Sequence, residues 1–460
     1  MMNVAALTDH RPFSRTALVN ATTRCISSLP ALERELEGGL LAAWNQVMDD
    51  DPLASCFQSA GWCLPWYRAY RDEFDPYVLL VQVADRPVGV VPLSVHRATR
   101  ELAFASGSMA DYRDVVALPG FREVVVSELI RVYLDGGFPN PLQVGWIDPA
   151  SNTPLLIAEA CRARRAPFIS WQQPCWRWFP AEGENLNKKF SRIRTHLNHF
   201  NRTGKVSFEV VTGAERWAEL RESFFEQHSL RQLHAGRELA FDDPRRVAFY
   251  DQLFASTDFK SHVTALRVDG RVLAGHFGYL WRDVLLLGAP AIRLEDEQRS
   301  PAVILFTWII QNAQTLGLRG FDLTVGDTDF KKRLANQCVH PTTVEVFSRR
   351  HRYYLQTARA GVVHAAKAAV AKTAGPDAWN KWVKPTGAWL MYKKTRVAES
   401  GLLTAAGLAL RGLAKAIYER RQGLIYSMAP GQLRLPGGRL FARDVVSVRD
   451  NQIEDLLLWR

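Results

Sequence analysis

Two stretches of the chain share one alternation. In VADRPVGVVPLSV, Val83 to Val95, and in VDGRVLAGHFGYL, Val268 to Leu280, apolar residues alternate around a short polar turn, the pattern of a β-hairpin. Setting Arg86 on Arg271 aligns the two at an offset of 185 residues. Downstream the order recurs. LPGFREVVVSELIRVYLDGG and RSPAVILFTWIIQNAQTLG each run from a proline loop into a helical period, and each is followed by a strand pattern, LQVGWID from Leu142 and FDLTVGD from Phe321, now offset by 179. Upstream of each hairpin the sequence is helical, as in ALERELEGGLLAAWNQVM and AERWAELRESFFEQHSLRQLH. A repeat at nearly constant offset predicts one domain duplicated, each copy built as strand, helices, antiparallel hairpin, further strand, helix, strand. The fold class expected is α/β, layered, with mixed sheets.

Between the copies lies NLNKKFSRIRTHLNHFNRTGK, in which Leu186, Phe190, Ile193, Leu197 and Phe200 fall on one face of a basic helix. The expected organisation is an N-terminal domain over 1–180, a basic helical connector over 181–205, a C-terminal domain over 206–348, and a basic helical appendage with an irregular tail over 349–460.

Charge sharpens this division. The chain of 460 residues carries a formal +11, but Arg349 to Arg421 holds 15 Lys or Arg against Asp377, Glu399 and Glu419, a net of +12, so the remainder sums to −1. The basic character belongs to the appendage and does not by itself make the body a nucleic-acid binder. Within the appendage, GLLTAAGLALRGLAKAIYERR is interrupted by Arg411 and Lys415 and falls short of a membrane span, leaving an interfacial helix or a packed one. The expectation is association with a membrane surface through 349–421, or packing on the body. The opening MMNVAALTDHRPFSR lacks a sustained apolar core, and six scattered cysteines form no CxxC pair; both fit a cytoplasmic protein with free thiols and no metal. No GxSxG elbow, Walker loop or HExxH occurs.

SPAVILFTWIIQNAQTLGLRGFDLTVGDTDFKKRLA, with Phe321, Asp322, Gly326, Asp327, Phe330 and Lys331, resembles the acetyltransferase branch of the GNAT superfamily associated with bacterial cellulose and exopolysaccharide biosynthesis, a tandem arrangement related to the FemAB aminoacyltransferases. CFQSAGW, DYRDVVALPG and FFEQHSLRQ agree in order, and the resemblance covers about residues 50 to 345. It implies two tandem GNAT-like domains and acyl transfer from a thioester or ester, with acetyl-CoA as co-substrate. The acceptor implied is an amine or hydroxyl of a small molecule or polysaccharide precursor. The alternatives are FemAB-like aminoacyl transfer from charged tRNA through the basic connector, or a non-catalytic scaffold at the inner face of the membrane.

In GNAT proteins the pyrophosphate of the donor rests on backbone amides where a strand enters a helix. The matching QRSPAV offers Gln298, Arg299, Ser300 as N-cap, and Ala302, without the glycines of that motif and after Glu295, Asp296 and Glu297; a plain capped helix is the other reading. Proton transfer needs a titratable group, and His228, Asp322 and Asp327 are the candidates. His228 can equally be a helix-core histidine, and Asp322, facing away from Phe321 and Leu323, a buried carboxylate paired with a cation. Arg231, Lys331 and Arg333 are candidate substrate-binding cations, with Lys331 expected at the rim of the cleft.

Overall fold

The computed structural model describes residues 21–234 and 240–358, together with two short strands, Arg434–Leu435 and Gly438–Arg439. The greater part of the expected appendage lies outside these residues. Packing divides the chain into two units, one holding residues through Ala214, Pro244–Pro290 and Ser300–Ala358, the other holding Glu215–Asp243, Ala291–Arg299 and the segment after Ala358.

The first copy of the repeat runs β1 (Ala21–Ile26), α1 (Leu29–Glu35), α2 (Leu41–Asp50), α3 (Ala60–Ala69), β2 (Phe74–Val83), β3 (Arg86–His96), β4 (Leu102–Phe104), β5 (Val116–Ala117), α4 (Arg122–Asp135), β6 (Leu142–Ile147), α5 (Thr153–Ala163), β7 (Phe168–Gln172) and β8 (Cys175–Trp178). The connector forms α6 (Leu186–Lys189) and α7 (Ser191–Thr203). The second copy runs β9 (Val206–Val211), α8 (Ala214–His234), α9 (Pro244–Ala255), β10 (Ser261–Val268), β11 (Arg271–Trp281), β12 (Val284–Ile292), α10 (Pro301–Gln311), β13 (Gly320–Val325), α11 (Asp329–Leu334), β14 (Gln337–Val339) and β15 (Thr342–Val346). This is the α/β class with mixed sheets in tandem copies that the sequence predicts.

The repeat extends below the level of elements. Ala84 and Asp85 in one hairpin, and Asp269 and Gly270 in the other, all have positive φ, the turn that matches strand twist. A register shift follows Val81 in β2 and Leu266 in β10, at the same offset of 185 residues. The central strands are buried on both faces: Val78, Leu80, Val90 and Leu93 in one hairpin, Ala265, Leu266, Ala274 and Phe277 in the other. Helices α2 and α4 pack on β3, and α10 packs on β10 and β11.

The two copies exchange strands. β8, at the end of the first copy, enters the second sheet between β13 and β14, in the order β14-β8-β13-β12-β11-β10-β9, while β15 of the second copy lies between β6 and β7 of the first. The expected domain limits at 180 and 206 are thus crossed in both directions. A strand supplied by the other copy removes an open sheet edge at its point of entry, which ties each sheet to the whole chain.

Candidate active site

The parallel ladder between β12 and β13 ends at Leu286 opposite Asp322, although both strands continue, so the sheet forks there. Asp322, 6% exposed, stands at the fork with both oxygens engaged. Its Oδ1 accepts from the Thr324 amide at 2.8 Å and faces the Cys175 thiol at 3.5 Å; its Oδ2 accepts from the Tyr112 hydroxyl at 2.8 Å and lies 3.0 Å from Arg177 Nε. Tyr112 Oη also meets Cys175 Sγ at 3.1 Å, and Arg177 Nη2 donates to Asp148 Oδ2 at 2.9 Å. Burial opposes the charge on Arg177, but Asp322 and the groups around it outweigh burial and raise its pKa. Burial, then the Asp322 charge, raises Tyr112 well above the ordinary phenol range and pushes the Cys175 thiol up to about 12. This cysteine is no nucleophile.

The same cluster holds a carboxyl of another kind. Asp111 precedes Tyr112 in the chain, and its pKa is raised to about 7: burial is the main cause and Asp322 adds to it, while Lys331, a hydrogen bond with Thr324 and Arg113 oppose. It also faces Cys56, Tyr250 and Tyr279 closely enough to raise their pKa values. A carboxyl poised near neutrality beside a cation and a hydroxyl is the kind of group that proton transfer requires.

The loop that carries Asp111 and Tyr112 is anchored by buried charges. Arg122 donates to both oxygens of Asp51, at 2.7 and 2.5 Å, and to Asp114 Oδ2 at 3.3 Å. Asp51 accepts from the amides of Leu53 and Ala117, each at 3.0 Å, and Ser151 donates to Asp114 at 3.1 Å. The Tyr112 carbonyl accepts from the Gln58 side chain.

Of the residues expected from sequence, Asp322 and Lys331 belong to this cluster, and Lys331 is packed differently from expectation. Asp322 is the paired carboxylate rather than a free base. Lys331 does not reach a rim: it is buried, and its Nζ donates to the carbonyls of Thr324 at 3.2 Å and Val325 at 2.8 Å, because Gly326 at φ +128° turns the chain across it. Asp327 is exposed and ion-paired with Lys332 at 2.8 Å, which lowers its pKa and unsuits it as a base. Arg333 is exposed on α11. His228 and Arg231 lie on α8 in the second unit, where His228 is buried, meets the Gln232 amide at 3.1 Å and packs edge-on to Phe241. Gln298 and Arg299 are exposed at the end of the Leu294–Arg299 turn of the second unit. Ser300 stands at the N-cap position of α10 before Pro301, but with left-handed backbone, φ 53°, and no side-chain cap bond, so the expected serine cap is not formed; Ala302 is half-buried in the first turn.

Residues 187–332 match the acetyltransferase (GNAT) domain family. The GNAT match takes in Asp322, Thr324 and Lys331 and leaves out Asp111, Tyr112, Cys175 and Arg177, so four of these seven residues come from outside it. No curated protein matches the chain. Among solved structures, FemX is similar at 10% identity over 68% of this chain and 98% of that chain, with a TM-score of 0.48. The structure of L-PGS from Bacillus licheniformis is similar at 12% identity over 68% and 93%, TM-score 0.43. A tandem GNAT protein from the clavulanic acid biosynthesis pathway is similar at 11% identity over 71% and 98%, TM-score 0.40.

The GNAT domain implies acetyl-CoA, and the segment before α10 can be tested for it. Glu295, Asp296 and Glu297 form an acidic run, and Arg293 is already ion-paired with Glu295 and with Asp296, the latter at 3.7 Å. A pyrophosphate needs donors and cations rather than three carboxylates. These residues do not fit it. Asp111 escaped sequence reasoning because nothing in DYRD announces that the loop meets a strand some 200 positions away; the one signal was its order among the landmarks of the family.

Proposed function

We propose that the chain is an acyltransferase of N-acetyltransferase type that moves an acyl group from a thioester or ester onto an amine or hydroxyl of a cell-surface polysaccharide precursor, in the exopolysaccharide branch of the GNAT superfamily. The observation that carries this reading is the near-neutral Asp111 carboxyl, next in the chain to Tyr112, whose hydroxyl donates to Asp322 of the GNAT-matched strand at 2.8 Å. Asp111 accepts the proton as the acceptor attacks. The acceptor nitrogen or oxygen bonds to the acyl carbon, the bond from that carbon to the donor's sulfur or oxygen breaks, and the proton passes from Asp111 to the leaving group or to water. Tyr112, Arg177 and Asp322 hold the loop and strand in register and take no part in the bond changes. Acetyl-CoA is the donor the family implies; because residues 293–299 do not fit its pyrophosphate, binding rests on the acyl and amide-bearing arm.

A thermal-shift panel with acetyl-CoA, longer acyl-CoAs, free CoA and S-acetylpantetheine tests this. The reading expects stabilisation by the acyl thioesters, with acetyl-CoA and S-acetylpantetheine within a few-fold of one another in apparent affinity. No shift with any thioester removes it. A second reading, aminoacyl transfer from charged tRNA, draws on the exposed Lys188, Arg192 and Arg202 around α7, in a stretch from Asn185 to Lys205 without a carboxylate. It predicts tRNA binding that falls steeply with salt.

A further inference from the structure

Trp146 sits near the end of β6 with φ 55°, a left-handed conformation that bulky residues rarely take. The corresponding strand of the second copy also carries a left-handed residue near its end, Thr324 at φ 58°, whose amide donates to Asp322 at 2.8 Å. In the first copy the left-handed residue presents an indole.

That indole is fixed from several sides and stays half-exposed. The Trp146 amide donates to Thr343 Oγ1 at 3.1 Å, its Nε1 donates to Gln173 Oε1 at 2.9 Å, and the Arg113 guanidinium lies over the ring at 5.2 Å. Arg113 is held by paired backbone bonds with Gly145 and by Gln143 Oε1 at 2.8 Å; a Cβ at Gly145 would come within 2.7 Å of its Nη2, so the glycine is what lets it in. Two residues on from Trp146, Asp148 is bonded to Arg177, which in turn meets Asp322. Arg113 is likewise two residues from Asp111. A rigid aromatic ring bonded to the neutral amide of Gln173, two residues before Asp148 in the chain, therefore stands at the head of a path into the fork.

We propose that Trp146 is the stacking platform of an acceptor subsite for a sugar ring. The apolar C–H face of the sugar lies on the indole face away from Arg113, and its hydroxyls bond to Gln173. A platform locked before binding loses no side-chain freedom when the ligand arrives. This rests on the acyltransferase reading for its purpose, and on the ring's geometry for its binding.

The test is saturation-transfer NMR of the full chain with glucosamine and with a chito-oligosaccharide, beside thiol release from S-acetylpantetheine with glucosamine or with hydroxylamine as acceptor. Expected is saturation transfer to the sugar C–H protons, weakened about ten-fold in Trp146→Ala and mostly kept in Trp146→Phe. In turnover, Trp146→Ala raises KM for glucosamine by a similar factor, leaves kcat near its starting value, and does not alter the hydroxylamine reaction. Trp146→Phe guards against a fold effect at the strained position. The platform is overturned if the unaltered chain gives no saturation transfer to either sugar, or if Trp146→Ala changes both acceptors alike. Thiol release with hydroxylamine but not with glucosamine also overturns it and leaves acyl transfer standing, whereas sugar binding with no thioester consumed keeps the platform and sinks the acyltransferase reading.

Discussion

Asp111→Asn keeps the shape of the side chain and removes its charge, so it measures what the surroundings of Asp111 cost the carboxylate. The carboxyl moves from an ordinary value of 3.8 to about 7 in the folded chain. At about 1.36 kcal/mol per unit the ionised form is disfavoured by at most roughly 4 kcal/mol, and about half of that after local relaxation. The folded pKa is the higher one, so the folded chain holds the proton more tightly. Stability from this group is full below about pH 4 and is lost as the pH rises through about 7. The variant, neutral throughout, should match the unaltered chain near pH 4 and exceed it by about 2 kcal/mol or more at pH 8. The assay is urea unfolding of both proteins at pH 4.5, 6 and 8, read as the midpoint at constant slope. If Asp111 were an ordinary carboxylate paired with Lys331, the variant would be the less stable protein at pH 8, and that result would refute the reasoning.

Further outcomes follow from buried groups away from the fork. Arg122→Leu strands Asp51 and Asp114 without their cation and should cost about 3–5 kcal/mol in urea unfolding, with loss of turnover because the Asp111 loop is released. His276 is fully buried, accepts from the Gly288 amide at 3.3 Å, and burial, with His262 adding, lowers its pKa to about 3. Its folded pKa is the lower one, so it lends stability above about pH 6.5 that drains away as the pH falls toward 3. His276→Gln, which can still accept that bond, should flatten the acid limb of a stability–pH curve measured from pH 7 to 4.

The architecture was legible because it is written in local periods. Hairpins, proline-led helices and the strands after them each carry their own alternation, and the offset of Arg86 and Arg271 proved to be the register of the two turns. The strand exchange was not legible, since CWRW of β8 and TTVEV of β15 read alike whichever sheet receives them. At the site, Asp322 could be singled out as a strand carboxylate facing away from its apolar neighbours. Whether it was a base or a paired ion depended on Tyr112, Cys175 and Arg177, the last two carried in by the exchanged strand β8. Lys331 reads as a solvated cation in DFKKRL, and only the turn at Gly326 folds it inward. His228 was put forward on residue type and on its place in FFEQHSLRQ, in a helix where a histidine also serves as core.

The central claim is acyl transfer with Asp111 as proton acceptor, and the measurement that addresses it most directly is the pH–rate profile of thiol release from S-acetylpantetheine with an amine acceptor, for the unaltered chain and Asp111→Asn. The account predicts a rate that climbs to a plateau through about pH 7 in the unaltered chain, as Asp111 loses its proton. In the variant it predicts a loss of about 10²-fold or more with that limb gone, while the exposed Lys332→Ala control keeps both. Equal rates and equal profiles in the unaltered chain and Asp111→Asn would contradict it.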